Sequence, residues 1–318
     1  MTPERPSGQR LRIATRGSSL ARWQAEHVAH RLRQAHPGLD VDLVVVETLG
    51  DRSQQRAIWE LGGQGVFVKE VQAAVVEGRA DLAVHSAKDL PSSPSLATPG
   101  LALAAVPQRG DARDALVGRS LSAIPVGGTV ATGANRRRAQ LVDLRPDLTF
   151  AGLRGNIETR LGRARDFSAV VVAAVALERL GRQSEAAEVL EPAVMVPQVG
   201  QGALAVECRQ DDAASVALVA VIDHRPSRRA VEAERGFLAT LGGGCELPAG
   251  AFATEAPDGG LHLRAVLATL DGRMVLRDAL EAPPEADPTE VGRSLARRLL
   301  DAGGGRSLLA EAVDVACD

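Results

Sequence analysis

The sequence predicts two α/β domains followed by a smaller α+β domain. Over the first two thirds of the 318 residues, short apolar runs with strand character alternate with helical segments, a pattern typical of parallel α/β sheets. After Gly250 the pattern changes to three consecutive strands and one helix. A chain of this length also exceeds what one hydrophobic core ordinarily supports, so two or three domains are expected.

The first domain begins with LRIAT, predicted as a buried strand, and a helix that runs to about His36. Ser18 or Ser19 can cap this helix by accepting a hydrogen bond from an N–H of the first turn. The apolar residues of the helix fall roughly on one face: Leu20, Trp23, Val28 and Leu32. Further strands are predicted in VDLVVVET, ADLAVHS and LALAAV, and a helix from about Val68 to Glu77 follows the glycine loop LGGQG.

The second segment starts near Pro107 and repeats the alternation. GGTVAT, LTFAGL and SAVVVAA are predicted strands, and helices are predicted after Asn135 and from Asn156. GALAVECR, at 202–209, is one more strand, and a helix follows from Pro226 to Leu241. The chain then continues with an antiparallel meander in GAFATE, LHLRAVLAT and RMVLRDALE, followed by the amphipathic helix PTEVGRSLARRLLDAG.

These elements divide the chain into three predicted domains. Residues 1–106 and 199–222 form the first α/β domain, 107–198 the second, and 223–318 the α+β domain. We expect the two α/β domains to face each other across a cleft. Loops at the carboxyl ends of parallel strands are where α/β proteins place their ligands.

Composition and charge exclude several classes of partner. The net charge of −3 gives no overall basic field for DNA or RNA, and with 2% aromatic residues the chain has few platforms for stacking bases. The longest apolar run, AVVVAAVAL from Ala169, is half the length that a membrane span needs. The first residues contain no apolar stretch of the kind found in secretory signals. We expect a cytoplasmic protein without nucleic-acid or membrane partners.

The three cysteines differ in their surroundings. Their odd number and wide spacing fit a reducing compartment and predict no zinc site. Cys208 lies in a predicted strand and is expected in the core, whereas Cys317 lies in the tail. Cys245 follows the glycines of LGGGC at a predicted helix end, where a tight turn explains the glycines but not the thiol. No signature of a cysteine protease accompanies it, and covalent attachment of a group is an open alternative.

The segment HSAKDLP places several reactive side chains at the end of a predicted strand. His85 and Ser86 are adjacent on the strand and point to opposite faces, so they are not expected to share a proton. Asp89, with Lys88 beside it, is expected to be a carboxylate in the ligand site, because loops at strand ends often carry function. A surface salt bridge in a loop is the alternative.

Arginines follow several predicted strands. Arg16 follows LRIAT, the run Arg136–Arg138 follows VATGAN, Arg154 follows FAGL, and Arg160 lies six residues further on. Any one of them could belong to a solvated helix face. Together they predict a cationic site suited to a ligand with several carboxylates, helped by nearby helix N-termini. The glycine loops lack nucleotide-binding spacing, so no nucleotide cofactor is expected.

Motifs through nearly the whole chain occur in an order and spacing that match a known family: LRIATRGSSLARWQA, GDR at 50–52, GVFVKE, ADLAVHSAKDLP, RGDARDALV, LRGNIETRL, VGQGALAVECR, AERGFLATLGGGC and LRAVLATLDG. Together they resemble the porphobilinogen deaminase family, also called hydroxymethylbilane synthases. The combination of HSAKDLP, LRGN-x-x-TRL and a late GGC is highly specific.

The resemblance implies a fold, an activity and a cofactor. The first two domains would be like type II periplasmic binding proteins. The enzyme would join four porphobilinogen molecules head to tail into hydroxymethylbilane, with loss of four ammonia molecules, in tetrapyrrole (haem) biosynthesis. The product would grow on a dipyrromethane cofactor, two porphobilinogen units in thioether linkage to a cysteine, and Cys245 occupies that position. The resemblance also implies a monomer that needs no metal.

The resemblance carries residue roles onto matching positions. Asp89 matches the catalytic aspartate, which stabilises the cation left when ammonia departs. The positions implied for cofactor binding are Cys245, Arg16, Ser18, Ser86, Lys88, Arg136, Arg137 and Arg154. The positions implied for substrate binding are Arg16, Gln24, Arg154, Arg160 and Arg179. Arginine suits both ligands because each pyrrole carries an acetate and a propionate.

One departure from the family lies just before the paired arginines. Many members have Gly-Thr-Ser-Ser there, but this chain has ATGAN, which removes hydroxyls at Gly133 and Ala134. Asn135 is expected to cap the following helix instead. The family has two arginines where this chain has Arg136–Arg138, and the spacing favours the first two.

Two further departures lie in the first domain. Gln64 and Glu60 stand where some members have lysine, so contacts to anions are lost. These changes leave an alternative open: a diverged paralogue, non-catalytic or of altered substrate, that binds an anion on the same fold.

Overall fold

The computed structural model describes residues 10–48, 68–242 and 247–314, with side chains described as far as Leu309. The chain divides into two compact units. Unit 1 comprises Met1–Gly110 and Ala203–Arg228, and unit 2 comprises Asp111–Gly202 and Arg229–Asp318. Most of the second predicted domain and most of the third fall within unit 2. The boundaries between three domains remain a prediction.

The strands of the described residues are β1 (Arg10–Arg16), β2 (Asp40–Val46), β3 (Leu82–Ser86), β4 (Leu101–Ala105), β5 (Asp114–Val117), β6 (Thr129–Ala131), β7 (Thr149–Ala151), β8 (Ala169–Ala173), β9 (Ala186–Leu190), β10 (Leu204–Arg209), β11 (Ala249–Glu255), β12 (Leu261–Ala268) and β13 (Val275–Ala282). The α-helices are α1 (Ser19–Ala35), α2 (Lys69–Val76), α3 (Asn135–Leu144), α4 (Ile157–Gly162), α5 (Ala174–Arg179), α6 (Ala213–Val219), α7 (Arg225–Thr240), α8 (Pro288–Asp301) and α9 (Gly305–Asp314).

Unit 1 is built on a five-stranded sheet with the order β2-β1-β3-β10-β4. β1 pairs in parallel with β2 and β3, and β10 runs antiparallel to both of its neighbours. β10 enters the sheet from a distant part of the sequence, after the chain has passed through the second sheet. The predicted strands LRIAT, VDLVVVET, ADLAVHS, LALAAV and GALAVECR are all confirmed.

Helix α1 begins where the sequence predicted. The Ser18 hydroxyl accepts a hydrogen bond from the N–H of Ala21 at 3.3 Å, so Ser18 rather than Ser19 is the cap. The buried face of the helix is formed by Gln24, Ala25, Val28, Ala29 and Leu32. Trp23 departs from the predicted apolar face: its side chain is 36% exposed and stacks on the ring of His27.

Unit 2 contains a second five-stranded sheet with the order β7-β6-β8-β5-β9. The parallel strands β6, β7 and β8 are the three predicted ones, and β5 pairs antiparallel with β8 and β9. β5 and β9 were not predicted. β5 is only four residues long and buried throughout, so it shows no alternation of apolar and polar residues.

The C-terminal part of unit 2 is the predicted antiparallel meander of β11, β12 and β13. Helices α7 and α8 supply buried apolar residues to one core with β11 and β12. Gly236 and Gly292 let the two helices approach closely. A Cβ at Gly292 would overlap the carbonyl oxygen of Ala233. With its two five-stranded α/β sheets and this smaller sheet, the structure confirms the predicted fold class.

The predicted cap of helix α3 is wrong. The cap position is Ala134, whose backbone is extended and whose side chain makes no capping bond. Asn135 is already the first helical residue. The N–H of Ala134 instead donates to the hydroxyl of Thr132 at 3.2 Å. The preceding turn is therefore stabilised by Thr132, and α3 begins without a side-chain cap.

Candidate active site

The predicted carboxylate Asp89 lies on a single 3-10 turn, Ala87–Asp89, directly after β3. The turn is anchored to the sheet because the N–H of Ala87 donates to the carbonyl of Ala203 at 3.0 Å. Ser86, Lys88 and Asp89 are each half-buried. The structure thus brings the three predicted residues together at the end of β3 and on the turn that follows it.

His85, which precedes this turn, is not part of a Ser-His-Asp triad. Its Nε2 lies 3.2 Å from Oε2 of Glu207 on β10, and its side chain is 3% exposed. Oε2 of Glu207 also accepts a hydrogen bond from Gln72 of α2 at 2.8 Å. Gln72 in turn accepts from the Thr98 hydroxyl at 2.7 Å. His85 therefore lies on the buried side of the strand, as the alternation of strand side chains predicts.

Three more predicted site residues lie around the junction of β1 and α1. Arg16 is the last residue of β1 and is half-buried. Ser18 is half-buried, and its hydroxyl caps α1. Gln24 lies one turn into α1 and is 6% exposed. Arg16 and Ser18 are thus partly accessible, whereas Gln24 is buried. The ligand-binding role of each remains a prediction.

Arg136 and Arg137, on the first turn of α3, converge on one carboxylate. Nη1 of Arg136 lies 2.8 Å from Oδ2 of Asp114, the first residue of β5. Arg137 donates to Oδ1 of the same carboxylate from Nε at 3.0 Å and from Nη2 at 2.8 Å. Gln201 donates to Oδ1 as well, at 3.0 Å. The predicted ligand-binding pair is therefore organised around Asp114, which the sequence did not indicate as a site residue.

This group is buried, and burial changes its proton equilibria. Burial by itself would raise the pKa of Asp114, but Arg136 and Arg137 outweigh it and hold that pKa well below its usual value. For Arg136, burial is the largest influence and lowers the pKa, which the attraction of Asp114 only partly offsets. Asp114 is thus ionised at neutral pH, and its charge is shared between two guanidinium groups.

The remaining predicted arginines occupy different environments in unit 2. Arg154 is exposed, in the loop between β7 and α4. Arg160 lies on α4 and donates from Nε to the carbonyl of Gly155 at 2.9 Å. Arg179 ends α5, is 7% exposed and donates to the carbonyl of Gly202 at 2.7 Å. Burial lowers the pKa of Arg179 to about 10.

The glycine in ATGAN has a steric reason. A Cβ at Gly133 would come 2.5 Å from the carbonyl oxygen of Leu153. A serine there would require the backbone to move. The close approach of two loops therefore explains why this position of the family pattern has no hydroxyl. The other departures, Gln64 and Glu60, lie outside the described residues.

Of the three cysteines, one lies among the described residues. Cys208 is buried in β10, as predicted, and burial raises the pKa of its thiol. Cys245 and Cys317 lie outside the described residues. The elements that flank Cys245 in the sequence are α7, which lies in unit 2 from Arg229 onward, and β11, which lies wholly in unit 2.

Asp114 and Gln201 are the functional candidates that sequence reasoning missed. Both lie in motifs that the sequence analysis singled out, RGDARDALV and VGQGAL. The sequence carried one signal for Asp114: in DALV, an acidic residue directly precedes three apolar residues. Because β5 was not recognised as a buried strand, the side chain could not be placed beside α3.

None of the helices in the described part of the chain has the length and apolar composition of a membrane span. Those residues also contain no group of three or more His, Cys, Asp or Glu side chains that could hold a metal ion.

Comparison with known proteins assigns both parts of the chain. Residues 11–217 match the family model described as porphobilinogen deaminase, dipyromethane cofactor binding domain, and residues 228–301 match its C-terminal domain. A porphobilinogen deaminase of Nitratidesulfovibrio vulgaris is 43% identical over 94% of this chain and 96% of its own length. One from Roseiflexus sp. is 46% identical over 95% of this chain and 99% of its own length. This chain belongs to the porphobilinogen deaminase family.

Proposed function

We propose that this chain joins four porphobilinogen molecules head to tail into hydroxymethylbilane, releases four ammonia molecules, and builds the product on a dipyrromethane cofactor carried by Cys245. The observation that carries this proposal is the match of both family models across nearly the whole chain, including the cofactor-binding domain. The family assignment supports the catalytic hypothesis, and nothing in the comparisons favours the non-catalytic paralogue.

The described residues fit a cofactor of this chemistry. A dipyrromethane carries four carboxylates, and the residues predicted to bind it offer guanidinium, ammonium and hydroxyl donors. Arg136 and Arg137 share a single carboxylate, so one of their positive charges is not balanced. Nε of Arg136 is buried and has no hydrogen-bond acceptor among the described residues. An anion bound there would balance this charge and accept a hydrogen bond from this nitrogen.

The arginines would bind and orient the pyrrole chain. Arg16, Arg154 and Arg160 are at least partly accessible and would hold acetate and propionate groups of the substrate. Arg136 and Arg137 would bind carboxylates of the cofactor. When bound, the dipyrromethane supplies the pyrrole carbon to which the first porphobilinogen is joined.

Asp89 would stabilise the positive charge that develops on the substrate. Loss of ammonia from porphobilinogen leaves a positive charge shared between the methylene carbon and the pyrrole nitrogen. A fixed carboxylate that accepts a hydrogen bond from this nitrogen stabilises the charge, an effect of roughly 3–4 kcal/mol per preorganised group. Ser86 and Lys88, on the same strand end, would orient the ligand beside it.

We also propose that the protein is a cytoplasmic monomer. The odd, widely spaced cysteines fit a reducing compartment. Light scattering during size exclusion and fractionation of the native host test these two points directly. A stable dimer in solution or recovery from a secreted fraction contradicts the corresponding half of the proposal.

The function is tested by intact mass and turnover together. The purified protein should carry a mass excess of two linked pyrrole units, and Cys245→Ser should lack it. Asp89→Asn should reduce turnover of porphobilinogen about 10²–10³-fold while remaining folded. A wild-type chain that carries no such mass, and gains none on incubation with porphobilinogen, is not a deaminase.

A further inference from the structure

Asp114 holds two guanidinium groups with one carboxylate. Its Oδ2 contacts Arg136 at 2.8 Å, and its Oδ1 accepts two hydrogen bonds from Arg137 and one from Gln201. Asp114 is completely buried, and the two arginines are 2% and 5% exposed. Arg136 also donates to the carbonyl of Val196 at 2.5 Å, and Arg137 to that of Val171 at 3.0 Å. The positions of both guanidinium groups are therefore set by fixed acceptors.

The charge of this group does not balance. Two guanidinium groups carry two positive charges, and Asp114 is the one acidic side chain in contact with either arginine among the described residues. Removing charges from water is costly unless they are paired, and screening inside a protein is weak. One positive charge thus remains in a place that water hardly reaches.

Two further features of the same place favour an anion. Nε of Arg136 is a buried donor without a hydrogen-bond acceptor among the described residues. Helix α3 begins at Asn135 without a side-chain cap, so the positive end of its dipole lies next to the arginine pair. An unused donor, an unbalanced charge and a helix N-terminus therefore coincide.

We propose that Asp114 is a positioning residue for Arg136 and Arg137: it fixes both guanidinium groups and cancels one of their two charges, leaving one for a carboxylate of the bound pyrrole chain. This inference rests on the proposed function for the identity of the carboxylate. Asp114 itself touches no ligand and acts through the two arginines. The ligand carboxylate, rather than a second acidic side chain, completes the charge balance.

The test compares thermal unfolding of apoprotein and holoprotein in Asp114→Asn. The apoprotein is made in cells that lack porphobilinogen, and intact mass reports cofactor loading. In the variant apoprotein, two buried guanidinium groups lose their counter-charge, and we expect its Tm to fall by roughly 5–15 °C. In the holoprotein, the cofactor carboxylate supplies a negative charge, and we expect less than about half of that fall.

Glu255→Gln is the control for loss of an ion pair elsewhere in the unit. Glu255 pairs with Arg229 at 3.2 Å in the same unit and does not touch the arginine pair. Its loss should lower the Tm of apoprotein and holoprotein equally. An equal fall in both forms of Asp114→Asn, or no fall in either, overturns the proposal, because a purely structural ion pair would behave in that way. A folded Asp114→Asn apoprotein that cannot load cofactor, while Glu255→Gln loads, supports it.

A double variant keeps the proposal testable if Asp114→Asn alone does not fold. Asp114→Asn combined with Arg137→Gln restores the original net charge of the group. If Asp114→Asn alone does not fold, the double variant should recover a folded apoprotein, and failure to do so overturns the proposal. If the wild-type chain never acquires the cofactor mass, the proposed function fails; normal loading with equal Tm losses refutes only the role of Asp114.

Discussion

Nε2 of His85 lies 3.2 Å from Oε2 of Glu207, and the same carboxylate oxygen accepts a hydrogen bond from Gln72 at 2.8 Å. The three residues belong to β3, β10 and α2, so these two contacts join three elements of unit 1. One of the three elements, β3, is the strand that leads to Asp89. His85 is a conspicuous residue of the motif HSAKDLP. Its contacts connect it to the core rather than to Ser86.

Removal of this carboxylate should destabilise unit 1. Glu207→Ala leaves the buried side-chain N–H of Gln72 without its acceptor, and an unsatisfied buried donor costs about 1–3 kcal/mol. Urea unfolding followed by circular dichroism measures the change in the free energy of unfolding. Glu77→Ala is the control, because its pair with Arg79 is exposed and should contribute at most about 0.5 kcal/mol. Equal effects of the two substitutions contradict the buried role of Glu207.

The stability that Asp114 contributes should depend on pH in a defined direction. Its folded-state pKa lies below that of the unfolded chain, so the unfolded state binds the proton first as the pH falls. The contribution of Asp114 is therefore complete above the unfolded-state pKa, about 4, and is lost progressively at lower pH. The difference in unfolding free energy between wild type and Asp114→Asn should be largest at neutral pH and shrink below about pH 4. A difference that stays constant down to pH 2.5 would show that ionisation of Asp114 is not what stabilises the fold.

The close crossing of α7 and α8 should tolerate no side chain at Gly292. A Cβ there would overlap the carbonyl oxygen of Ala233 and press on the N–H of Phe237. We expect Gly292→Ala to lower the free energy of unfolding by about 1–3 kcal/mol, the usual cost of overpacking.

Gly162 provides the matched position for this test. It ends α4, and a Cβ there would meet nothing within 4 Å. Gly162→Ala should leave stability unchanged or raise it by up to about 1 kcal/mol. Thermal unfolding of both variants decides the point, and a harmless Gly292→Ala would mean that the helices can separate without loss.

Because Arg154 is exposed, its substitution tests a ligand contact without disturbing the core. Arg154→Gln should raise the KM for porphobilinogen, because one charge-assisted hydrogen bond to a carboxylate, about 1.5–3 kcal/mol, is lost. Arg138 is also exposed but follows the buried pair on α3, and Arg138→Gln should leave KM unchanged. Steady-state kinetics separates the two. A larger effect at Arg138 would mean that the matching arginine pair has been assigned one position too early.

The sequence by itself determined much of this protein: the family, the alternation of strands and helices, and the placement of Asp89 and Arg16 at strand ends. These features depend on local patterns, since periodicity and turn chemistry act over a few residues. Ser18 as a helix cap was predictable for the same reason. His85 could be separated from Ser86 because adjacent strand residues point to opposite faces.

Only the tertiary structure decided how the arginines are used. Asp114 meets Arg137 across 23 residues of sequence and Gln201 across 87. Those contacts require β5, which is too short and too uniformly buried to be recognised from its pattern. The close approach at Gly133 depends on a neighbouring loop, and the absence of a side-chain cap at Ala134 depends on where the backbone turns into α3. Burial and charge pairing arise from contacts between distant segments, and no local pattern in the sequence records which segments will meet.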